Sequence, residues 1–333
     1  MTRTTTGGDG STGVPGHRVL VVGAARSGTT WVATCLGRTV GAAYVHEPDN
    51  FDWVPFAARA RAGLGLMPAL EPGGDAPEPY VRMWESAFRA RRPSALGRLA
   101  TAVYARTPAR AKSALLEPGG RSSSLRLQVA TRLARPQSAP AGTVHPVVKS
   151  VNVPLAVQWV AARFEPRVLV VRRHPLDVLA SRLSFGTAFF ENALAYVDPR
   201  AVAVRLERWK APARPTTTDR YEHFVWLAGF TLSAFDEAAQ TNPDFHVVDY
   251  EEIGSDPLPH FRRLVADLGL EWSPDCEEFL TSSNTAGAGF ETKRVAARQT
   301  GVWRERLTDE QLSVARRVLS RFPIAGRYPD LTG

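Results

Sequence analysis

HRVLVVGAARSGTTWVATCLGR, residues 17–38, decides the fold. Its first part, HRVLVVG (17–23), is short, rich in Val and Leu and closed by glycine, which fits a strand buried on both faces of a parallel sheet. The SGTTWVATCLGR that follows has a polar start and helix-compatible composition. Strand, glycine-bearing turn and helix, in that order, place a phosphate at a helix N-terminus.

The turn nearly spells a nucleotide-triphosphate loop. Such a loop needs GxxxxGK[ST]: backbone amides cradle the phosphates, the lysine reaches the terminal ones and the hydroxyl binds Mg²⁺. Gly23 and Gly28 keep the glycine spacing, but Thr29 stands at the lysine position, so ATP or GTP hydrolysis is disfavoured. The cation has moved inside the loop to Arg26, followed by the hydroxyls of Ser27, Thr29 and Thr30 and by Trp31. Helix N-terminal amides, these hydroxyls and Arg26 suit a 5′-phosphate, and Trp31 suits stacking on a base.

Outward from this unit, AAYVHEP (42–48), HPVVKS (145–150), PRVLVVRRHP (166–175) and FHVVDYEE (245–252) read as further strands. Helical patterns alternate with them over 153–164, 175–185, 221–240 and 256–270. The expected fold is α/β, a three-layer sandwich with a central parallel sheet of P-loop-like type. Ligands of such sheets bind beyond the carboxyl ends of the strands. Four strand ends carry polar residues suited to a site: Arg26 and Ser27, His46 and Glu47, Lys149, and Arg172 with Arg173. Residues 57–142 break the rhythm with Pro/Gly pairs and Arg/Ala-rich stretches, and read as a basic helical insertion or lid. Residues 1–16 read as a flexible tail and 17–333 as a single domain.

The chain has 333 residues, 44% hydrophobic and 22% charged, enough apolar material for a large core. No stretch approaches the roughly twenty apolar residues of a membrane span, and a cytoplasmic location is the expectation. Cys35 and Cys276 lie in no metal-binding spacing and read as buried thiols. The net charge of +8 is regional, for residues 57–142 hold fourteen Lys/Arg against five Asp/Glu. Such a segment is either a solvated insertion or an attractor of anionic substrates, lipid surfaces or nucleic acid. A polyanion-binding protein is therefore one alternative, although no nucleic-acid module is found. A kinase or NTPase with an altered loop is another, but no Mg²⁺ site is evident.

RSGTTW (26–31) resembles the 5′-phosphosulfate loop of sulfotransferases that use 3′-phosphoadenosine 5′-phosphosulfate (PAPS). The resemblance implies that Arg26, Ser27, Gly28, Thr29, Thr30 and Trp31 bind the donor. It implies further that an arginine at a later strand end and a serine eight residues on grip the 3′-phosphate. VVRRHPLDVLAS supplies Arg173 and Ser181; Arg172 competes, but the register to Pro175 and Ser181 favours Arg173. VVDYEEI (247–253) resembles the strand whose tyrosine lies near the adenine, here Tyr250. TGVWRERL (300–307) resembles the segment after the loop that closes over the 3′-phosphate, where Lys293, Arg294 and Arg298 compete and Arg298 is nearest the Gly-Val-Trp.

Many small-molecule sulfotransferases carry Lys-x-His on the strand before the 3′-phosphate arginine. VVKSVN keeps Lys149 but has Val151 at the histidine position. The Glu-Pro of YVHEPDN resembles carbohydrate and bacterial sulfotransferases and implies Glu47 as general base, with His46 as the alternative. Burial at a strand end is expected to raise the Glu47 pKa, unless a salt bridge to Arg26 or Lys149 tunes it. Arg26 and Lys149 would stabilise the bridging oxygen and leaving phosphate. No metal is implied. The acceptor is expected to be a small-molecule hydroxyl, carbohydrate-containing or a secondary metabolite, glycosylated or lipidic, with Tyr80, Trp84, Phe88 and Tyr104 forming a lid over it. Peripheral membrane contact through the basic insertion is a further expectation.

Overall fold

The computed structural model describes residues 16–92, 95–107, 112, 125–184, 198–283 and 296–332. Its centre is a parallel sheet of β1 (Val19–Val22), β2 (Ala42–His46), β3 (His145–Ser150), β4 (Arg167–Arg172) and β5 (His246–Asp249). The strands lie in the order β2-β3-β1-β4-β5. Every expected strand forms, but most are shorter than their apolar runs. β1 stops before Gly23, and β5 stops at Asp249 because Tyr250 opens a helix.

Successive side chains of a strand point to opposite faces, and here both faces are covered. Leu20, Val22, Val148, Val168 and Val170 face one core with Trp84, Trp159 and Phe235. Val19, Val21, Val147, Leu169 and Val171 face the other with Trp31, Phe261 and both free cysteines, Cys35 and Cys276. That two-sided burial is why the strands read as unbroken apolar runs.

The helices are α1 (Thr29–Leu36), α2 (Pro55–Ala60), α3 (Glu78–Ala87), α4 (Ala95–Ala105), α5 (Leu125–Leu133), α6 (Val157–Phe164) and α7 (Pro175–Leu183). Those of the second half are α8 (Pro199–Trp209), α9 (Arg220–Thr241), α10 (Tyr250–Ser255), α11 (Pro257–Asp267), α12 (Pro274–Ser283), α13 (Trp303–Arg306) and α14 (Asp309–Leu319). Among the described residues no helix is long and apolar enough to cross a membrane.

Residues 57–142 do more than hang over the sheet. α3 places Tyr80, Met83, Trp84 and Ala87 at helical spacing along one stripe, all fully buried in the first core. A buried side chain the size of Met or Phe contributes about 1.5–3 kcal/mol. Tyr80 meets Trp159 of α6 with ring centroids 5.5 Å apart, and Phe88 meets Phe164 at 5.9 Å. Tyr104 is buried as well and donates its hydroxyl to the Phe51 carbonyl at 2.5 Å. The four aromatics read as an acceptor lid are thus core residues, Tyr80, Trp84 and Phe88 in the core against the sheet and Tyr104 in a separate cluster with Phe51 and Leu127; composition alone does not separate such burial from a binding face.

β1 is central, and the chain leaves it first toward β2 and later crosses to β4. That reversal opens a crevice at the carboxyl end of β1, where open α/β sheets bind ligands.

Candidate active site at the carboxyl edge of the sheet

The turn after β1 is tight. Ser27 donates its amide to the Ala24 carbonyl at 3.0 Å, and Arg26 sits at φ +77°, an unusual conformation for a side-chain-bearing residue. Gly28, at φ +87°, caps α1 with no side chain over the helix end. A Cβ there would lie 2.4 Å from the Tyr250 ring, so only glycine lets the loop close on Tyr250. The first-turn amides of α1 have no intrahelical acceptors and carry the positive end of the helix dipole. Beside them the Ser27 hydroxyl is fully buried with no hydrogen-bond partner.

Three arginines gather on this turn. Arg26 donates Nε to Ser181 Oγ at 3.1 Å. Arg173, buried at the end of β4, donates to the Arg26 carbonyl at 2.9 Å and to the Gln299 carbonyl at 2.6 Å, its guanidinium 4.5 Å from the centre of the Tyr250 ring. Arg182 donates to the Ala25 carbonyl at 3.1 Å, and burial, reinforced by the Arg26 charge, pushes its pKa down to about 10. Arg182 escaped the sequence reading; the one signal was an arginine next to Ser181 inside an otherwise apolar helix face. Arg172 points away, paired with Asp236 on α9 at 2.6 Å, so it is Arg173 that faces the loop. Arg298 is exposed on the 3₁₀ turn Ala296–Gln299, one residue before the carbonyl that meets Arg173. Lys293 and Arg294 lie outside the described residues.

Trp31 does not reach the crevice. Its ring packs against Phe261 at 4.8 Å and Tyr250 at 6.0 Å, and its indole N–H donates to Ser283 Oγ at 3.2 Å. It follows Thr30 on α1 and points inward to the second core. Thr29 is buried beneath the turn.

The second cluster forms where β2 and β3 end. His46 pairs with Lys149 in strand register, and the Glu47 amide donates to the Lys149 carbonyl at 2.9 Å. Glu47 then turns at φ +41°, bringing its carboxylate onto the Lys149 ammonium in a buried ion pair. Asn50 donates to the other carboxylate oxygen at 2.5 Å. Burial alone would raise the Glu47 pKa, but the Lys149 charge and the hydrogen bonds from Lys149 and Asn50 outweigh it and hold the carboxyl below its ordinary range. The raised pKa expected from burial is therefore corrected in favour of the salt-bridge alternative: desolvation is present, yet Lys149 on the adjacent strand prevails.

His46 turns to the opposite side and hydrogen-bonds the Tyr44 hydroxyl. Partial desolvation, with Lys149 nearby, lowers its pKa against the pull of Glu47. Behind the Glu47 turn lies Asp49, also missed. It is buried, accepts from Ser150 Oγ at 2.6 Å, and its carbonyl accepts from the fully buried Arg61 at 2.8 Å. Its signal was the EPDN run, a turn-forming carboxylate directly after Glu-Pro. Among the described residues, no three His, Cys, Asp or Glu side chains lie together as a metal site.

Several solved structures match at low identity. Mouse sulfotransferase SULT7A1 complexed with PAP is 13% identical, with 93% of this chain and 87% of that one covered and a TM-score of 0.37. Retinol dehydratase in complex with androsterone and the inactive cofactor PAP is 15% identical over 91% and 79%, with a TM-score of 0.38. Sulfotransferase STF1 from Mycobacterium tuberculosis H37Rv is 13% identical over 86% and 77%, with a TM-score of 0.35. No curated protein matches in sequence. The sequence model of the sulfotransferase family matches residues 18–274, from the edge of β1 into α12 and across both clusters described above, and the chain belongs to that family.

Proposed function

We propose that this protein transfers a sulfuryl group from PAPS to a hydroxyl of a carbohydrate-containing or secondary-metabolite acceptor. The observation that carries the reading is the convergence of Arg26, Arg173 and Ser181 on the open N-terminus of α1. The residues fit a nucleotide bearing phosphates at both ends. Gly28 leaves the helix end uncovered, and the buried Ser27 hydroxyl lacks a partner that a phosphate oxygen would provide. On this reading the α1 amides, Arg26, Ser27, Thr29 and Thr30 hold the 5′ side, while Arg173, Ser181 and Arg298 hold the 3′-phosphate and Tyr250 lies near the base.

When bound, the donor supplies an activated sulfuryl group and leaves as adenosine 3′,5′-bisphosphate (PAP). Glu47 is the general base, accepting the acceptor hydroxyl's proton on its carboxylate. In the structure it is a weak base because Lys149 holds its pKa down. An ammonium drawn toward negative charge growing at the leaving oxygen releases that hold, and burial then raises the basicity of Glu47. Lys149 and Arg26 thus serve the departing charge while Glu47 serves the proton. His46, on the other side of the strand, is the alternative base. Trp53, 56% exposed on the loop after Glu47, offers an apolar face to a sugar or other ring. Exposed Leu99, Val103, Val129 and Leu133 on α4 and α5, within the basic segment, support a peripheral contact with anionic membranes; failure to pellet with anionic vesicles would remove that part.

Calorimetric titration with PAP, AMP and ATP, without and with Mg²⁺, tests the donor site. Metal-independent preference for PAP is expected, and Arg173→Ala should weaken PAP by about 10- to 100-fold while sparing AMP. Preference for Mg·ATP would return the loop to the kinases. Glu47→Gln should lower kcat by about 10²- to 10⁴-fold with PAP affinity unchanged; retained turnover would pass the role to His46.

A further inference from the structure

Asp177 lies in the first turn of α7, fully buried, and its carboxylate accepts two backbone donors from the C-terminal part of the chain. The Gly301 amide approaches at 2.8 Å and the Trp303 amide at 3.1 Å. Four residues further along the same helix, Ser181 accepts from Arg26. Residues four apart share one helix face. α7 therefore holds the turn after β1 with one side chain and the 299–303 segment with another.

What that segment contributes is the Gln299 carbonyl, which takes a hydrogen bond from Arg173 at 2.6 Å. Gly301 sits at φ +75°, a conformation that suits glycine and turns the chain so that amides 301 and 303 both face Asp177. Charge-assisted bonds of this kind are short and directional. Attachment of the segment does not depend on them. Trp303 stacks near His174 with centroids 6.0 Å apart, and Trp303 and Leu307 belong to a core with Leu176, Leu179 and Leu319. Apolar packing keeps the segment on the protein, and the carboxylate fixes its register.

We propose that Asp177 is a positioning residue for the donor site: it sets the 299–303 backbone so that the Gln299 carbonyl orients the Arg173 guanidinium for a 3′-phosphate. This rests on the PAPS reading given above. Asp177 does not itself touch the nucleotide. Its effect is confined to the 3′-phosphate side, which separates it from a merely structural carboxylate.

The test is Asp177→Asn, which keeps the shape but turns one acceptor into a donor facing an amide. Wild-type and variant protein are titrated with PAP and with AMP, and amide exchange is followed at residues 299–303. PAP affinity should fall about 10- to 100-fold, the cost of a lost hydrogen bond to a charged group, with AMP affinity held. Exchange at Gly301 and Trp303 should quicken, and Asp177→Glu should recover part of the PAP affinity. Equal weakening of both nucleotides, or of neither, overturns the proposal. If Asp177→Asn does not fold, exchange on wild-type protein decides: amides 301 and 303 gain protection with PAP beyond that with AMP, and the absence of a difference overturns the proposal. Wild-type protein that does not prefer PAP to AMP refutes the donor reading itself, whereas preference with an unaffected variant refutes only the role of Asp177.

Discussion

Lys149→Met removes the ammonium but keeps the stem, and it isolates the electrostatics of the buried pair with Glu47. In the native protein the pair is shielded, with side chains 4% and 9% exposed for Lys149 and Glu47. Deleting one partner of such a pair costs about 3–5 kcal/mol, because the other charge stays buried without compensation. With an unfolding entropy of about 2.1 cal/mol/K per residue over 333 residues, the loss corresponds to about 4–7 °C in Tm. The pH dependence carries the stronger test. Native Glu47 has its pKa depressed, so its stabilising contribution is present above the unfolded value of about 4.3 and is lost as pH falls through the lower folded value. In Lys149→Met the leading influence is burial, which raises the folded pKa, so that Glu47 instead destabilises the variant as pH rises through and beyond the unfolded value. Thermal melts of both proteins from pH 4 to pH 8 should therefore show a gap in Tm that is small in acid and widest near neutrality. Glu47→Gln in the Lys149→Met background should recover much of the neutral-pH loss. A gap of equal size at every pH would refute the reasoning, since the lost stability would then owe nothing to the charge on Glu47.

Gly28→Ala must place a side chain at φ +87° and 2.4 Å from Tyr250, at a strain of about 1–3 kcal/mol, and should abolish PAP binding in calorimetry. Wild-type affinity in that variant would move the nucleotide elsewhere. Trp31→Phe loses the bond to Ser283 and should cost about 0.5–1.5 kcal/mol in stability by denaturant melt, with PAP affinity unchanged. A loss of affinity would reinstate a stacking role. A hydrogen bond from Cys35 pulls the Cys276 thiol pKa down, yet both side chains are fully buried. Neither should react with a thiol reagent at neutral pH until the protein is unfolded, and reaction of the folded protein would show that acidity rather than access governs them.

The strands were legible because burial on two faces leaves them continuous and apolar, and β3 was delimited to the residue. The shortened β5 was not, since nothing in DYEE announces that a tyrosine will start a helix. The register to Pro175 and Ser181 separates Arg173 from Arg172 in the sequence, whereas Asp236, which draws Arg172 aside, lies far along the chain and leaves no such mark. The sequence offers Glu47 a salt bridge to either Arg26 or Lys149; which one forms depends on a left-handed turn at Glu47, a conformation that its residue type does not advertise. Trp31, Tyr80 and Trp84 lie in the cores, a placement that the sequence does not fix. An aromatic that fills a core and one that faces a ligand have the same helical spacing, and only the neighbouring elements decide. Asp177 was passed over because its partners are backbone amides more than a hundred residues away, which leave no side-chain signature.

The placement of residues 57–142 has an evolutionary consequence. The connection that carries them leaves the sheet just after Glu47 and returns to the neighbouring strand that carries Lys149; the β2–β3 ladder sets the two residues side by side, and the turn at Glu47 with the bond from Asn50 completes the contact. Outside the core positions that α3 fills, the connection can therefore change in sequence or length without moving the ion pair. A scaffold of this kind lets descendants vary the connection while inheriting the same buried ion pair.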